Sequence, residues 1–332
     1  MRILIAALLA ALPLAAQTPQ VSSPLSFDEF MAGLRAEALS KGISQATIDA
    51  ALTGIEPLPV AVERDRTQPE TVVSLDTYVA RRVTPKVVKN ANDVATANAD
   101  VLDRVEKEFG VPPNVLIAVW GVESNFGAFT GVRPTVAALA TLAYDGRRAL
   151  FRNELFDALR IVDAGHITVD QLKGSWAGAM GQPQFMPSSY LKYAVDFDKD
   201  GKADIWTTNA DVFGSIGNYL KEYGWKRNER WGREVKLSKA ARARIDHTVP
   251  MRTGNCKATR EMTVARPLKE WAKLGATLPT GAALPRADIN ASLVRGDKRF
   301  FLVYGNYDAL LGYNCANSYA VTIGLLSDKI SK

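Results

Sequence analysis

The sequence offers carboxylates rather than histidines for chemistry. Its two histidines, His166 and His247, stand alone, without the spacing of a metal-ligand pair or a nucleophilic triad. In NVLIAVWGVESNFG, Glu123 follows Leu116, Val119 and Trp120 by seven, four and three residues, so on a helix it shares their apolar face. Burial there disfavours the charged carboxylate and lifts its pKa toward the range in which it donates a proton at neutral pH, the property of a general acid. Ser124, Asn125, Phe126 and Gly127 would end the helix and open a cleft beside it. A glutamate at a frayed helix end fits the same spacing.

Two further stretches could bind. GSWAGAMGQPQFMPSSY, residues 174–190, joins three glycines to the amides of Gln182 and Gln184, to serine hydroxyls and to the flat faces of Trp176, Phe185 and Tyr190. Such groups suit a polar groove for sugar hydroxyls and rings, and a glycine-rich connector would look similar. In DFDKDGKADIW, Asp196, Asp198 and Asp200 alternate and Gly201 takes the sixth place, as in a calcium loop. The twelfth place is Thr207 instead of a bidentate Glu, which leaves Asp204 or Asp211 to complete the shell. The alternative is a solvated acidic turn. A bound calcium is expected to brace the neighbouring loop and to take no part in catalysis, for which no cofactor is expected.

These residues need a scaffold, and the chain is long enough to build one. Its 332 residues suggest about two domains. An apolar content of 47% with a mean hydropathy of −0.07 excludes disorder and a polytopic membrane protein. Charge is mild, 41 basic against 35 acidic residues for +6, or +5 once Arg2 leaves with a leader. A pI near 9.2 without a run of five like charges argues against a nucleic-acid partner and suits an anionic polymer such as a cell-wall glycan.

Residues 1–16 read as a cleaved signal peptide: Arg2, an apolar run from Ile3, then Ala15 and Ala16 before Gln17. Pro13 and the run's shortness argue against a membrane span. Export to the periplasm follows, with no lipid anchor, because the only cysteines are Cys256 and Cys315. In an oxidising compartment a bridge over their separation of 59 residues would contribute roughly 4 kcal/mol. Two separate buried thiols are the other reading.

Apolar spacing and punctuation divide the remainder. After a linker, 17–26, comes an N-terminal helical segment, 27–82, with irregular structure across the prolines of 53–70. A helical core follows over 83–232, then a small β-rich insertion over 233–304 and C-terminal helices over 305–332 that pack back on the core. The fold class is mainly α with an α+β insertion. No repeat or low-complexity tract is visible.

WGVESNFG, the 174–190 stretch with VDFDKDGKADIW after it, and YNCANSYAV together resemble the lytic murein transglycosylase B family, glycoside hydrolase family 103, from about Phe27 to the end. The resemblance implies a lysozyme-like α core that cleaves the MurNAc–GlcNAc β-1,4 bond of peptidoglycan and leaves 1,6-anhydro-MurNAc ends. By motif position Glu123 would be the single acid/base. Ser175, Gln184, Phe185, Tyr219, Tyr313, Asn314, Tyr319 and Tyr78 would line the groove. Arg147 and Arg148 are candidates for stem-peptide carboxylates. The partners expected are peptidoglycan strands and cell-wall synthesis proteins. Two departures stand out: no cysteine for a lipid anchor follows the leader, and the acidic loop has a longer tail before Asp211, which puts the last metal ligand in doubt. The competing readings are a muramidase using Asp196 or Asp145 to activate water, and a non-catalytic peptidoglycan-binding scaffold.

Overall fold

The computed structural model describes residues 25–67, 73–146 and 149–331. The expected leader, the linker as far as residue 24, and Arg147 and Arg148 lie outside the described residues.

Capping sets the first helices. Ser26 and Glu29 exchange bonds across the start of α1 (Phe27–Ser40), and Ser44 opens α2 (Gln45–Leu52). The proline-bearing stretch expected to be irregular holds α3 (Pro59–Arg66), because Pro59 at the first turn needs no N–H partner and presets φ. α4 (Leu75–Arg82), α5 (Pro85–Ala97) and α6 (Ala99–Phe109) follow, with Asn98 breaking the expected run between the last two.

α7 (Pro113–Ser124) is the centre of the molecule. Every residue from Val115 to Trp120 is buried, and α5, α6 and α11 (Asn209–Glu222) pack around it. A helix apolar on all sides needs such a jacket. Between α7 and α11 run the short strand β1 (Arg133–Pro134), α8 (Thr135–Asp145), α9 (Leu150–Asp163), its partner strand β2 (Lys173–Gly174) and α10 (Pro187–Tyr193).

Residues 232–304 form a separate layer. β3 (Gly232–Val235), β4 (Arg266–Pro267), β5 (Asn290–Arg295) and β6 (Phe300–Val303) make one antiparallel sheet in the order β3-β6-β5-β4, with Val294 opposite Phe301. The layer is less strand-rich than its composition suggests. HTVPMRT, read as extended, begins in helix, since His247 and Thr248 are the last residues of α12 (Lys239–Thr248), which starts at the Ser238 cap and sets Ala241 and Ile245 four apart into the core. α13 (Lys257–Arg260) and α14 (Leu268–Leu274) complete it, and Trp271 of α14 donates Nε1–H to the Ala291 carbonyl at 2.9 Å. The chain returns through α15 (Gly305–Tyr313) and α16 (Asn317–Ser327), which packs on α7.

Three apolar cores result. One surrounds α7, α11 and α16; one joins α1 and α2 to α8, α9 and the glycine-rich loop; the third lies within 232–304. The 27–82 segment is shared between two of them, since Val79 of α4 belongs to the core around α7 and α4 itself packs on α16. Among the described residues no helix is long and apolar enough to cross a membrane.

Candidate active site

Glu123 occupies the last turn of α7, where the helix ends abruptly. Asn125 and Phe126 both adopt left-handed φ, 52° and 59°, and Gly127 continues at 78°. For a phenylalanine that conformation costs about 1–2 kcal/mol. The fold holds it by placing the Phe126 ring against Gly121, where a Cβ would stand 2.5 Å from a ring carbon. Ser124 closes the turn, its Oγ donating to the Trp120 carbonyl at 3.1 Å and accepting from the Gly127 N–H at 3.0 Å. Leu116, Val119 and Trp120 are buried as expected, but Glu123 is only half-buried, because the helix stops one residue later.

Tyrosines gather beside that carboxyl. Tyr319, 2% exposed at the start of α16, donates its hydroxyl to Glu123 Oε1 at 2.5 Å. Burial, reinforced by the Glu123 charge, pushes the phenol well above its ordinary range, so it remains a donor at any physiological pH. Tyr313 stacks 6.4 Å from Tyr319, Tyr219 lies 4.6 Å from Tyr313, and Tyr223 stacks on Tyr219 at 4.6 Å. Burial likewise pushes the Tyr219 and Tyr313 phenols up, with the Glu123 charge adding to it. Their hydroxyls donate to the Gly312 and Pro183 carbonyls at 2.8 and 2.7 Å, which ties α11 to α15 and α15 to the glycine-rich loop. On the other side α4 brings Tyr78, 4% exposed, under the Arg82 guanidinium.

The glycine-rich loop is fastened by its amides. Gln184, in left-handed backbone with φ 51°, donates to the Thr130 and Gly181 carbonyls at 3.1 and 2.8 Å. Ser175 Oγ accepts from the Ala177 and Ala179 N–H groups. Gly131 approaches Gly174 so closely that a Cβ would fall 2.0 Å from its carbonyl carbon. Two expectations for this loop need correction. Phe185 is 1% exposed, lying beneath Tyr219 and Tyr313, and Tyr190 is buried with its hydroxyl on the Ala203 carbonyl at 3.0 Å and its phenol pushed up to about 12 by burial. Phe185 supplies the core under the loop, and Tyr190 packs mainly there too, keeping only an edge on a cavity it shares with His166 and Trp206.

The acidic loop separates into two groups. Asp196, Asp198 and Asp211 each bring an oxygen within 4.8 Å of the others. Asp200 and Asp204 do not join them. Asp200 is exposed and accepts from the Lys202 N–H, while Asp204 takes the Trp206 and Thr207 N–H groups and the Thr207 and Thr208 hydroxyls. Burial alone would raise the Asp204 carboxyl, but those bonds together hold it below its ordinary value. Asp211 is fully buried and accepts from the Phe197, Asp198 and Asp204 N–H groups, and burial pushes its carboxyl up. Three clustered carboxylate donors on such a loop fit a hard dication.

Sequence reasoning undervalued Gln182 and Arg82. Gln182 Oε1 accepts from Trp120 Nε1 at 2.8 Å while its Nε2 donates to the Trp206 carbonyl at 2.9 Å, so one buried amide links the acidic loop to α7 one turn before Glu123. Arg82 Nη1 donates to the Val122 carbonyl at 3.3 Å, beside Glu123. The signal for Gln182 was its place between two glycine-flanked turns, whereas Arg82 gave none. Cys256 and Cys315 form a disulfide with Cα atoms 5.9 Å apart, anchoring the segment that leads into Tyr319. Asn314 is half-buried in that segment. Asp145 pairs with Arg66 at 3.8 Å, and Asp196 receives the Asp200 and Gly201 N–H groups.

A helical core that presents one carboxyl from a helix end, between tyrosines and a glycine-rich loop, has the architecture of the lysozyme-like lytic transglycosylases. The family described as transglycosylase SLT domain matches residues 26–328, and the chain belongs to it. Membrane-bound lytic murein transglycosylase B of Escherichia coli (strain K12) is 39% identical over 155 residues, 46% of this chain and 43% of that protein, so the match spans less than half of that relative. The structure of SltB3 from Pseudomonas aeruginosa in complex with NAG-anhNAM-pentapeptide is similar over 91% of this chain and 79% of that one, with a TM-score of 0.80 and 36% identity. The Escherichia coli lytic transglycosylase SLT35 in complex with calcium gives a TM-score of 0.75 at 27% identity, over 90% and 92% of the two chains.

Proposed function

We propose that the protein is a periplasmic peptidoglycan lytic transglycosylase in which Glu123 is the single acid/base. The observation that carries this is the Glu123 environment. Its carboxyl sits at the open end of α7 with Tyr319 orienting it, while Asp145 and Asp196, the acids that a hydrolytic route would use to activate water, are engaged by Arg66 and by backbone N–H groups. Glycosidases that add water usually need a second carboxylate.

In this reading Glu123 protonates the oxygen of the MurNAc–GlcNAc β-1,4 bond as the C1–O bond breaks. The same carboxylate then takes the proton from the MurNAc 6-hydroxyl as O6 closes on C1. One bond breaks, one forms, the proton returns to Glu123 and no water is consumed. Ser175, Gln184, Tyr313, Asn314 and the edges of Tyr78, Tyr219 and Tyr319 line the groove as contacts or supports. Asp196, Asp198 and Asp211 would hold a structural calcium, which supplies positive charge to a crowded carboxylate cluster; support comes from their mutual distance and from the calcium in the SLT35 structure. Export rests on the leader-like residues 1–16.

Mass spectrometry of products from purified sacculi tests the reaction. Anhydro-muramyl ends are expected. Reducing ends, heavier by one water, would make the enzyme a hydrolase, and no soluble product with binding retained would leave a scaffold.

A further inference from the structure

Charge in this chain is unevenly distributed. Residues 232–304 hold fifteen Lys and Arg against six Asp and Glu, a net of +9, so the remainder, with 26 against 29, carries −3 of the total of +6. Four of those six acids already have a cation. Glu234 pairs with Arg299 at 2.7 Å, Asp246 with Arg295 at 2.6 Å, Glu261 with Lys257 at 3.6 Å and Glu270 with Arg266 at 3.2 Å. The surplus stands on exposed side chains such as Lys236, Lys239, Arg242, Lys269 and Lys298.

Two cavities order part of this surplus into a track. One, of about 450 Å³, lies between α12 and the β5–β6 hairpin, lined by Lys239, Arg242, Asp246, Arg295, Asp297 and Phe300. Lys239, Arg242 and Asp246 share a helix face, and the Arg242 guanidinium rests on the Phe300 ring. The other, of about 480 Å³, is lined by Lys257, Arg260, Glu261 and again Arg295, and its far wall is Ala316, Asn317 and Ser318. Arg295 therefore joins the two. The track ends at the residue before Tyr319, which bonds Glu123.

We propose that this cationic track binds the carboxylates of peptides carried on peptidoglycan, so that the 232–304 layer grips a strand beside the one being cut. The choice of partner rests on the glycan-cleaving reading above. Three observations favour peptide carboxylates. The cations alternate with Asp246, Asp297 and Glu261, a pattern suited to separated single charges and ill suited to a continuous phosphate plane. Arginine, with its planar fork, supplies three of the five cations and matches a carboxylate two-to-two. Among the described residues of the layer, Met251 is the one large apolar side chain prominently exposed, whereas binding in a bilayer interface requires several.

The test is cosedimentation of the full chain and its K239E/R242E variant with intact sacculi, with sacculi whose peptide carboxylates have been amidated, and with anionic phospholipid vesicles. The variant should bind intact sacculi roughly tenfold more weakly, with the gap narrowing in salt. Both proteins should bind amidated sacculi equally and cleave peptide-free glycan chains at the same rate, with unchanged melting temperature. R260Q, at the other cavity, should act in the same direction. Equal binding to intact sacculi, an equal loss on amidated sacculi, or a preference for vesicles would overturn the proposal. A wild type that binds intact sacculi in this pattern and cleaves nothing would overturn the enzymatic reading and leave the track standing.

Discussion

The end of α7 and the loop after α10 both present acids, and they use them in opposite ways. At α7 a lone carboxyl stands among tyrosines, at the open end of a helix whose interior is wholly apolar. In the loop five aspartates fall within sixteen positions, and backbone N–H groups occupy most of their oxygens. A carboxylate that accepts several N–H bonds becomes part of the backbone's own bonding, which outweighs burial at Asp204 and does not at the fully buried Asp211. One that meets a buried phenol has its geometry set by a single side-chain bond, the arrangement on which the proposed acid/base role rests. Gln182 joins the two regions, since its amide holds Trp120 on one side and Trp206 on the other.

The sharpest way to test the contrast is to neutralise each kind of acid. Glu123→Gln keeps the shape and loses the proton, so turnover on sacculi should fall by about 10³-fold or more while glycan binding and melting temperature stay as they were. Near wild-type turnover would transfer the chemistry elsewhere. In the loop the same exchange should act on stability. Chelation is expected to lower the wild-type melting temperature by about 3–5 °C, restored by added calcium, and Asp211→Asn should remove that response. A wild type indifferent to chelator would leave the cluster a solvated turn. Gln182→Ala breaks the link and leaves the Trp120 indole N–H buried without its acceptor. A loss of about 1–3 kcal/mol in denaturant unfolding is expected, with lower turnover alongside. The smallest effect should come from Tyr319→Phe, which removes one hydrogen bond to Glu123. Turnover should drop about tenfold with KM little changed, and a change in KM alone would mean that Tyr319 meets substrate instead of orienting the acid.

Much of the helical scaffold was legible because it rests on local signals. The helices of the 27–82 segment and the stop after Ser124 are readable in the sequence. So was the candidacy of Glu123, from its offsets to Leu116, Val119 and Trp120. The errors arose where burial overrode residue type. Phe185 and Tyr190 look like sugar platforms in a glycine-rich stretch, yet the loop folds them inward as the floor on which Tyr219, Tyr313 and Trp206 pack. HTVPMRT has strand-like composition, and a helix begun upstream by a serine cap and two apolar residues four apart runs into its first two residues. Asp204 looked like a metal ligand, and four hydrogen bonds from the next turn of chain hold it there.

By itself the sequence determined the candidate acid, the acidic loop, the glycine-rich stretch and the change from helix to a strand-bearing insertion, because each is encoded in neighbours a few residues apart. Only the tertiary structure decided that Tyr319, 196 residues downstream, orients Glu123, that Gln182 spans from Trp120 to Trp206, and that Arg295 joins two basic cavities. Those contacts depend on how three apolar cores settle against one another, and distances across a packed interior leave no periodicity in the chain for sequence reasoning to find.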